Sequence, residues 1–532
     1  MAFNDQQLEA INSNARTILC LAGAGAGKST TMVNRILRKV NEGVDPSRIL
    51  ALTFTNAAAF EMGEKYRKLP GAHGTAPEFR TFHSFCYSLL IKDKSIRERL
   101  GYSSVPTICD DNKLKQLKEN AKLKIGCKLS DNKLASPKTL TKQEKFEYDL
   151  FIKAYKKEVR EANVITFDLL SKNVCELFTR NEPEADKYKN KYQILVVDEF
   201  QDSDPIQFKF IASFPETTSL FLVGDCLQNI YGFRGCSNTY IKMLAEDPNW
   251  EVIKLYKNYR STRQICDFAN KMSKYAKSNY RIEMEGLRDG EKVNVVFGSH
   301  VDYLHPVDED HLSILIDNIK KNDRETAVLC RSNKEVKAVG QALDAANIAY
   351  STSNKSTDVL DILNSTLDNE YMLNWLATFL DTVEYGDYIR ASSLVENPDI
   401  RWFLNNYGSH KKIRESGKKI IEIRRMMNSK RDSYSKFNDI TKLLKIKSRC
   451  KFDKSDELSN TELVASIRDQ IAQQEDTQVY VGTIHSSKGL EYDTVYVMGV
   501  DDNMFRLDSE DSLNLYYVAI TRAKNHLTIF RR

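Results

Sequence analysis

Short apolar runs that stop abruptly at small or polar residues recur along this chain. Several are followed by apolar residues at helical spacing. Thr17-Ile18-Leu19-Cys20-Leu21 is such a run, and Met32, Val33, Ile36 and Leu37 beyond it fall on one face of a predicted helix. Ile49–Asn56 reads as a second strand with a polar end, and Ala57–Met62 opens a helix. Arg80-Thr81-Phe82-His83-Ser84-Phe85 interleaves aromatic and polar residues. Tyr192–Val197 is a buried-strand run that ends in Asp198-Glu199-Phe200-Gln201-Asp202, and Ser219–Val223 is another that leads into Gly224–Gly235. Leu255–Thr262 marks the predicted start of a second domain. Its strands are expected at Ala327–Asn333, Val479–Thr483 and His526–Phe530, with a helix over Leu515–Lys524. Strands alternating with helices predict an α/β fold with parallel sheets.

Length and charge refine this reading. At 532 residues the chain is too long for one core. No apolar run reaches the roughly 18 residues of a membrane span, and the first residues do not resemble a signal peptide, so a cytoplasmic location in a prokaryotic or phage-infected cell is expected. The ten cysteines form no CxxC pair, which argues against zinc or an iron–sulfur cluster. Charge is unevenly placed. Residues 91–160 hold 18 Lys/Arg against 10 Asp/Glu in a helical pattern, which predicts a helical insertion. A second insertion over 356–465 is acidic in its first part and basic in its second, where residues 411–454 hold 16 basic and 5 acidic side chains. Such basic faces either contact a polyanion or an acidic partner, or are merely solvated.

The chemistry concentrates at the polar ends of the predicted strands. Ala22-Gly23-Ala24-Gly25-Ala26-Gly27-Lys28-Ser29 joins a strand to a helix. A small-residue loop in that position can wrap a phosphate in backbone N–H groups, with the helix N-terminus adding positive potential. Lys28 would reach the outer phosphates and the Ser29 hydroxyl would ligate Mg²⁺. Asp198 and Glu199 are the paired carboxylates that such a loop needs: one for the metal, one to polarise the attacking water. Gln228 could sense a γ-phosphate. Tyr231 and Phe233 either form a base-stacking platform or belong to the core.

The chain resembles the UvrD/Rep/PcrA family of superfamily 1 DNA helicases. The residues that carry the resemblance are Phe3–Gln7, the loop 22–29, Thr53-Phe54-Thr55-Asn56, Thr81-Phe82-His83-Ser84 and Asp198–Asp202. They continue through Gly224-Asp225 with Gln228, Ile230–Gly235, Asn258-Tyr259-Arg260-Ser261-Thr262, Thr483–Glu491 and Tyr517–Ala523. The resemblance implies two RecA-like P-loop domains with parallel sheets, each carrying a mainly helical inserted subdomain. The expected boundaries are 1–90 with 165–250 for the first domain, 91–164 for its insertion, 251–355 with 466–532 for the second domain, and 356–465 for a reduced second insertion. It also implies an ATP- and Mg²⁺-dependent motor moving 3′ to 5′ on single-stranded DNA and acting at single-strand/duplex junctions. Carried over by position, residues Ala22 to Thr30 hold the triphosphate, Gln7 reads adenine, Tyr259 stacks on it and Glu491 holds the ribose. Ser29 and Asp198 hold Mg²⁺, Glu199 is the general base, and Arg260 and Arg522 are arginine fingers. Phe54, Asn56, His83, Tyr231, Phe233, Arg234, Thr483 and His485 match positions that line the single-strand channel.

This sequence departs from the family pattern at Ala57, where lysine is usual, and at Asn229, where serine is usual. The nested segments are short, as is Asp501–Asp511, where larger members place a strand-parting hairpin. Helicase-like subunits of Gabija-type antiviral defence systems are similarly compact and work beside a separate nuclease. The alternative expectation is therefore an ATPase and DNA sensor with a nuclease partner and little processive unwinding.

Overall fold

The computed structural model describes residues 3–109, 111–135, 140–230, 238–276, 280–298, 307–352, 398–444, 457–474, 478–500, 505–507 and 509–531, with scattered positions between 362 and 395. The chain divides into two compact units. One contains residues 1–100, 167–350 and 478–532; the other contains 101–166 and 351–477.

The first unit is built on two sheets. One has six strands in the spatial order Glu78–Thr81, Ile49–Thr53, Ile194–Val197, Ser219–Gly224, Thr17–Ala22 and Glu251–Leu255. Every pairing is parallel. The strands Thr17–Ala22 and Ile49–Thr53 are buried along their whole length. That is why they read as unbroken apolar runs rather than alternating ones. Helix α1 (Asp5–Asn12) and helix α2 (Lys28–Asn41) pack beside them. Met32, Val33 and Ile36 of α2 join Ile18, Cys20, Ile49, Val196, Phe221 and Val223 in one core. The strand Glu251–Leu255 belongs to this sheet, paired with Thr17–Ala22, so the sheet extends beyond residue 250.

The second sheet has five strands in the order Asn294–Phe297, Ala523–Arg531, Tyr492–Val500, Thr326–Cys330 and Val479–Thr483, again all parallel. Its core joins Val328, Cys330, Val481, Tyr496, Met498 and Phe530 to Leu315, Val339 and Leu343 on flanking helices. The helix expected over Leu515–Lys524 instead runs Glu510–Ile520, and the last strand begins at Ala523. Thr521 ends the helix by turning its hydroxyl back to the Tyr517 carbonyl at 2.9 Å.

The second unit is mainly helical, with one short parallel pair of strands, Thr107–Ile108 and Val164–Ile165. Lys142–Glu161 packs with Asp111–Ile125 around Phe151, Ala121 and Leu129. Helices Ile400–Tyr407, Lys411–Met427 and Ser433–Leu443 bury Phe403, Ile413, Ile420, Ile423 and Phe437. Among the described residues no helix is long and apolar enough to cross a membrane.

Candidate active site

In an open parallel sheet, loops at the carboxyl ends of the strands form the binding crevice. Here three adjacent strands deliver their loops to one place. Thr17–Ala22 leads to Lys28, its neighbour Ser219–Gly224 leads to Asp225, and the next strand leads to Asp198 and Glu199. Spatial adjacency of the strands is what unites residues that lie 170 positions apart in sequence.

The loop is shaped by two glycines in the left-handed region, Gly25 at φ +66° and Gly27 at φ +77°. Gly27 is the N-cap of α2 and no side chain caps the helix. Among the described residues no side chain takes the first-turn amides, which suits them to phosphate oxygens. A Cβ at Gly25 would lie 2.7 Å from Arg260 Cβ and 2.8 Å from Asn258 Oδ1, and one at Gly27 would lie 2.7 Å from Gln7 Nε2. Small residues are thus required by neighbours as well as by backbone angle. Ser29 is half-buried and Thr30 exposed at the helix start.

Lys28 Nζ lies 3.5 Å from Glu199 Oε1. Burial pushes the ammonium down, but Glu199, Asp225 and Asp198 outweigh it and raise its pKa. Burial and the charge of Glu199 push Asp198 up, while Lys28 and Lys488 outweigh burial at Glu199 and pull it down. Of the two carboxylates, Glu199 is the one whose charge its neighbours favour. Its backbone sits in the left-handed region at φ +50°, ψ +42°, which is costly for a side chain with a Cβ. Asp198 Oδ1 accepts from the Glu199 amide at 3.0 Å, and the Asp202 amide donates to the Glu199 carbonyl at 2.9 Å, so the strained residue is held from both sides. Ser29 and Asp198 are an oxygen donor set with the right chemistry for Mg²⁺. No group of three His, Cys, Asp or Glu placed to hold a metal occurs among the described residues.

The other predicted nucleotide residues are engaged with one another. Asn4 and Gln7 form a capping box at the start of α1. The Gln7 side chain also donates to the Ala26 carbonyl at 3.2 Å and accepts from Tyr259 Oη at 3.4 Å. Asn4 Nδ2 donates to Tyr259 Oη at 2.8 Å. Arg260 is paired with Glu491, Nε to Oε2 2.6 Å, and donates to the Thr521 carbonyl at 3.1 Å. Arg522 is buried just past the helix Glu510–Ile520, donating back to the Val518 carbonyl at 3.0 Å and across to the Leu490 carbonyl at 3.1 Å. Burial and Arg260 lower its pKa to about 9, with Glu199 opposing.

Of the predicted channel residues, Phe54, His83, Thr483 and His485 are half-buried. Asn56 begins the helix Asn56–Arg67; its side chain lies outside the described residues, as do Tyr231, Phe233 and Arg234. The His83 ring lies edge-on to Phe167, centroids 5.2 Å apart, and Phe167 is 52% exposed. Such a ring extends the aromatic surface at this end of the sheet.

Residues given no role from sequence prove central. Asn258 donates to the Ala24 carbonyl at 2.7 Å and accepts from the Arg260 and Ser261 amides at 2.8 and 2.7 Å. Gln201 donates to Glu199 and accepts from the Asp225 amide at 2.9 Å. Lys488 pairs with buried Asp202. All three sit inside motifs already singled out; their polarity at otherwise buried positions was the available signal. Within the basic block, Arg424 is committed to the carbonyls of Ser365 at 2.6 Å and Thr366 at 3.2 Å, so it caps a neighbouring segment rather than facing solvent.

Comparison with known proteins agrees with this geometry. Residues 3–249 match the UvrD/REP helicase N-terminal domain, and residues 253–360 and 389–531 match the UvrD-like helicase C-terminal domain. The ATP-dependent DNA helicase PcrA of Staphylococcus epidermidis is 26% identical over 99% of this chain and 83% of its own length. The protein of that name from Staphylococcus aureus is 26% identical over 99% of this chain and 82% of its own. Two family models spanning nearly the whole chain, over a site with paired carboxylates at a phosphate loop, show that this chain belongs to the UvrD-like helicase family and is an ATP-hydrolysing DNA helicase.

Proposed function

We propose that the protein moves 3′ to 5′ along single-stranded DNA and opens adjoining duplex, driven by ATP hydrolysis between its two sheets. The observation that carries this reading is the approach of Lys28 to Glu199 beside a glycine-shaped, uncapped helix N-terminus, with Arg260 and Arg522 nearby. Lys28 and the first-turn amides of α2 bind the triphosphate, and Gln7 and Tyr259 take the base. Ser29 and Asp198 would hold Mg²⁺, which when bound would neutralise charge at the phosphates. Glu199, held ionised, accepts the proton of the attacking water. Arg260 and Arg522 exchange their present partners for phosphate oxygens, and that exchange draws the two sheets together. Coupling hydrolysis to such closure is how an arginine supplied from across a cleft gives directed motion. Phe54, His83 and Phe167, in segments beside the first sheet, with Thr483 and His485 at the end of a strand of the second, form the proposed strand path; Asn56, Tyr231, Phe233 and Arg234 are assigned to it by resemblance.

The test is strand displacement with Mg²⁺ and ATP on duplexes bearing a 3′ or a 5′ single-stranded tail. Release from the 3′-tailed duplex alone is expected. Release from the 5′-tailed duplex alone overturns the polarity. Vigorous DNA-stimulated ATPase without displacement of even a short duplex favours a DNA-sensing ATPase that works beside a nuclease.

A further inference from the structure

Helix α1 carries Gln7 and is held in place by polar side chains at both ends. It has eight residues, fewer than the roughly 12–15 at which an isolated helix becomes stable in water. Only Gln7, Ala10 and Ile11 of these are buried, so little apolar surface fixes its place. Its N-terminal end is tied by Gln7 Nε2 to the Ala26 carbonyl at 3.2 Å, by Asn4 Nδ2 to Tyr259 Oη at 2.8 Å and by Gln6 Nε2 to Tyr256 Oη at 2.9 Å.

Its last carbonyls are collected by two arginines of α2. Arg35 Nη1 donates to the carbonyls of Ala10 at 2.8 Å and Ser13 at 2.9 Å. Arg38 Nη1 donates to that of Ile11 at 3.1 Å, and Arg38 Nη2 to Asn14 Oδ1 at 2.8 Å. Arg35 is 2% exposed, and its guanidinium lies 4.9 Å from the centre of the Phe221 ring. Burial and the neighbouring Arg38 lower its pKa to about 10, so it stays a cation at neutral pH. Cations at a helix C-terminus meet the negative end of its dipole, and charged donors make the stronger hydrogen bonds. A buried guanidinium is still a costly cap, because water satisfies such carbonyls without burying a charge.

What Arg35 adds is position. It stands seven residues after Lys28 on α2, two helical turns along the same face. One rigid helix therefore carries the phosphate lysine at its start and grips α1 two turns later. The Gln7 amide is closely held at the other end of α1. Its Nε2 is taken by the Ala26 carbonyl, its Oε1 accepts from the Asn4 amide at 3.2 Å, and a Cβ at Gly27 would lie 2.7 Å from that Nε2. A pivot of α1 would break these contacts. An amide in one fixed orientation tells adenine, which has an amino donor beside N7, from guanine, which has an oxygen acceptor there.

We propose that Arg35 is a positioning residue for base selection: by fixing the C-terminal end of α1 against α2, it keeps the Gln7 amide in the orientation that favours adenine over guanine. Arg35 acts only through Gln7, and Arg38 supports it from the half-buried side of α2. The inference rests on the base-reading role proposed for Gln7 and names the residue that enforces it.

The experiment measures steady-state hydrolysis of ATP and of GTP by the full chain at saturating single-stranded DNA, for wild type, Gln7→Ala, Arg35→Ala, Arg35→Lys and Arg38→Gln. Circular dichroism melts run alongside. Wild type is expected to prefer ATP in kcat/KM. Arg35→Ala is expected to lower that preference about tenfold, the discrimination carried by a well-aligned contact to a base edge, with kcat for ATP little changed. Arg35→Lys should recover part of the preference, since an ammonium restores a cation at the end of α1. Arg38→Gln should lower it by a smaller factor. If Arg35→Ala does not fold, Arg35→Lys and Arg38→Gln decide. Lower melting temperatures with the wild-type preference kept in every folded arginine variant would make Arg35 a structural cap and overturn the proposal. If wild type shows no preference, or Gln7→Ala keeps it, the base-reading role itself falls and the positioning role with it.

Discussion

Arg260 Nε lies 2.6 Å from Glu491 Oε2, so a proposed arginine finger is held by the proposed ribose ligand. Lys524 reaches the same carboxylate at 3.3 Å. Burial raises the Glu491 pKa, but Arg260 and Lys524 outweigh it and hold the carboxyl below its usual range. Both partners keep some solvent access, and pairs of this kind contribute about 0.5–1 kcal/mol. In the proposed function a triphosphate takes Arg260 from this pair at little cost and leaves Glu491 for the sugar.

Glu491→Gln separates the two roles. Losing a charged hydrogen bond to a ribose hydroxyl costs about 1.5 kcal/mol, so KM for ATP should rise about tenfold. The turnover number should change little, as for an interaction made equally in ground and transition states. Arg260→Ala should show the opposite split, with kcat falling far more than KM rises. Steady-state kinetics at saturating DNA decides between them.

Glu199→Gln keeps the side chain's size and removes its basicity. Loss of a general base typically costs about 10²–10⁴ in rate. Nucleotide binding should persist, measured with a fluorescent ATP analogue. Lys28→Ala should abolish both binding and turnover. If Glu199→Gln hydrolyses ATP at the wild-type rate, the water is activated elsewhere.

The sheets and the glycine-shaped turn of the loop 22–29 were legible because they obey local rules. Buried parallel strands read as apolar runs, and Gly25 and Gly27 mark the positive-φ positions that the loop needs. The capping box at Asn4 and Gln7 follows a local pattern of two polar residues three positions apart. What could not be read is what the polar residues do to one another across the fold. The sequence Thr521-Arg522-Ala523-Lys524 has ordinary helix propensity, yet the helix stops at Ile520. The Thr521 hydroxyl bonds back to the carbonyls of Tyr517 and Val518, and Ala523 joins the sheet. Likewise Arg424 looks like one more member of a basic run until its partners at Ser365 and Thr366 are known. Pairing between distant residues is set by topology, which no local pattern contains.

Asn258 ties the loop 22–29 to the backbone of the proposed arginine finger. Replacing it with alanine strands the Ala24 carbonyl and the amides of Arg260 and Ser261 in a buried place. Each orphaned group costs about 1–3 kcal/mol, so a loss near 3 kcal/mol is expected after local relaxation. Asn258→Asp should be nearly as harmful, because it keeps the two acceptor contacts but sets a carboxylate oxygen against the Ala24 carbonyl. Thermal melts report the stability loss, and KM for ATP should rise in both variants. Wild-type melting of Asn258→Ala would show that the three groups find other partners.

Asp202 supplies a pH test with a definite sign. Burial raises its pKa to about 6, the Lys488 cation opposes the rise, Glu199 adds to it and Lys28 lowers it. The ordinary value, 3.8, applies when the chain is unfolded. A group whose folded pKa is raised stabilises the fold fully below the unfolded pKa. That contribution is lost as pH climbs through about 6, and it amounts to at most about 3 kcal/mol. Asp202→Asn lacks the titration altogether. The melting temperature of Asp202→Asn relative to wild type should therefore rise between pH 5 and pH 7.5. A relative fall over the same range would mean that attraction to Lys488 outweighs the cost of burying the charge. The Asp202–Lys488 pair would then be a net stabiliser.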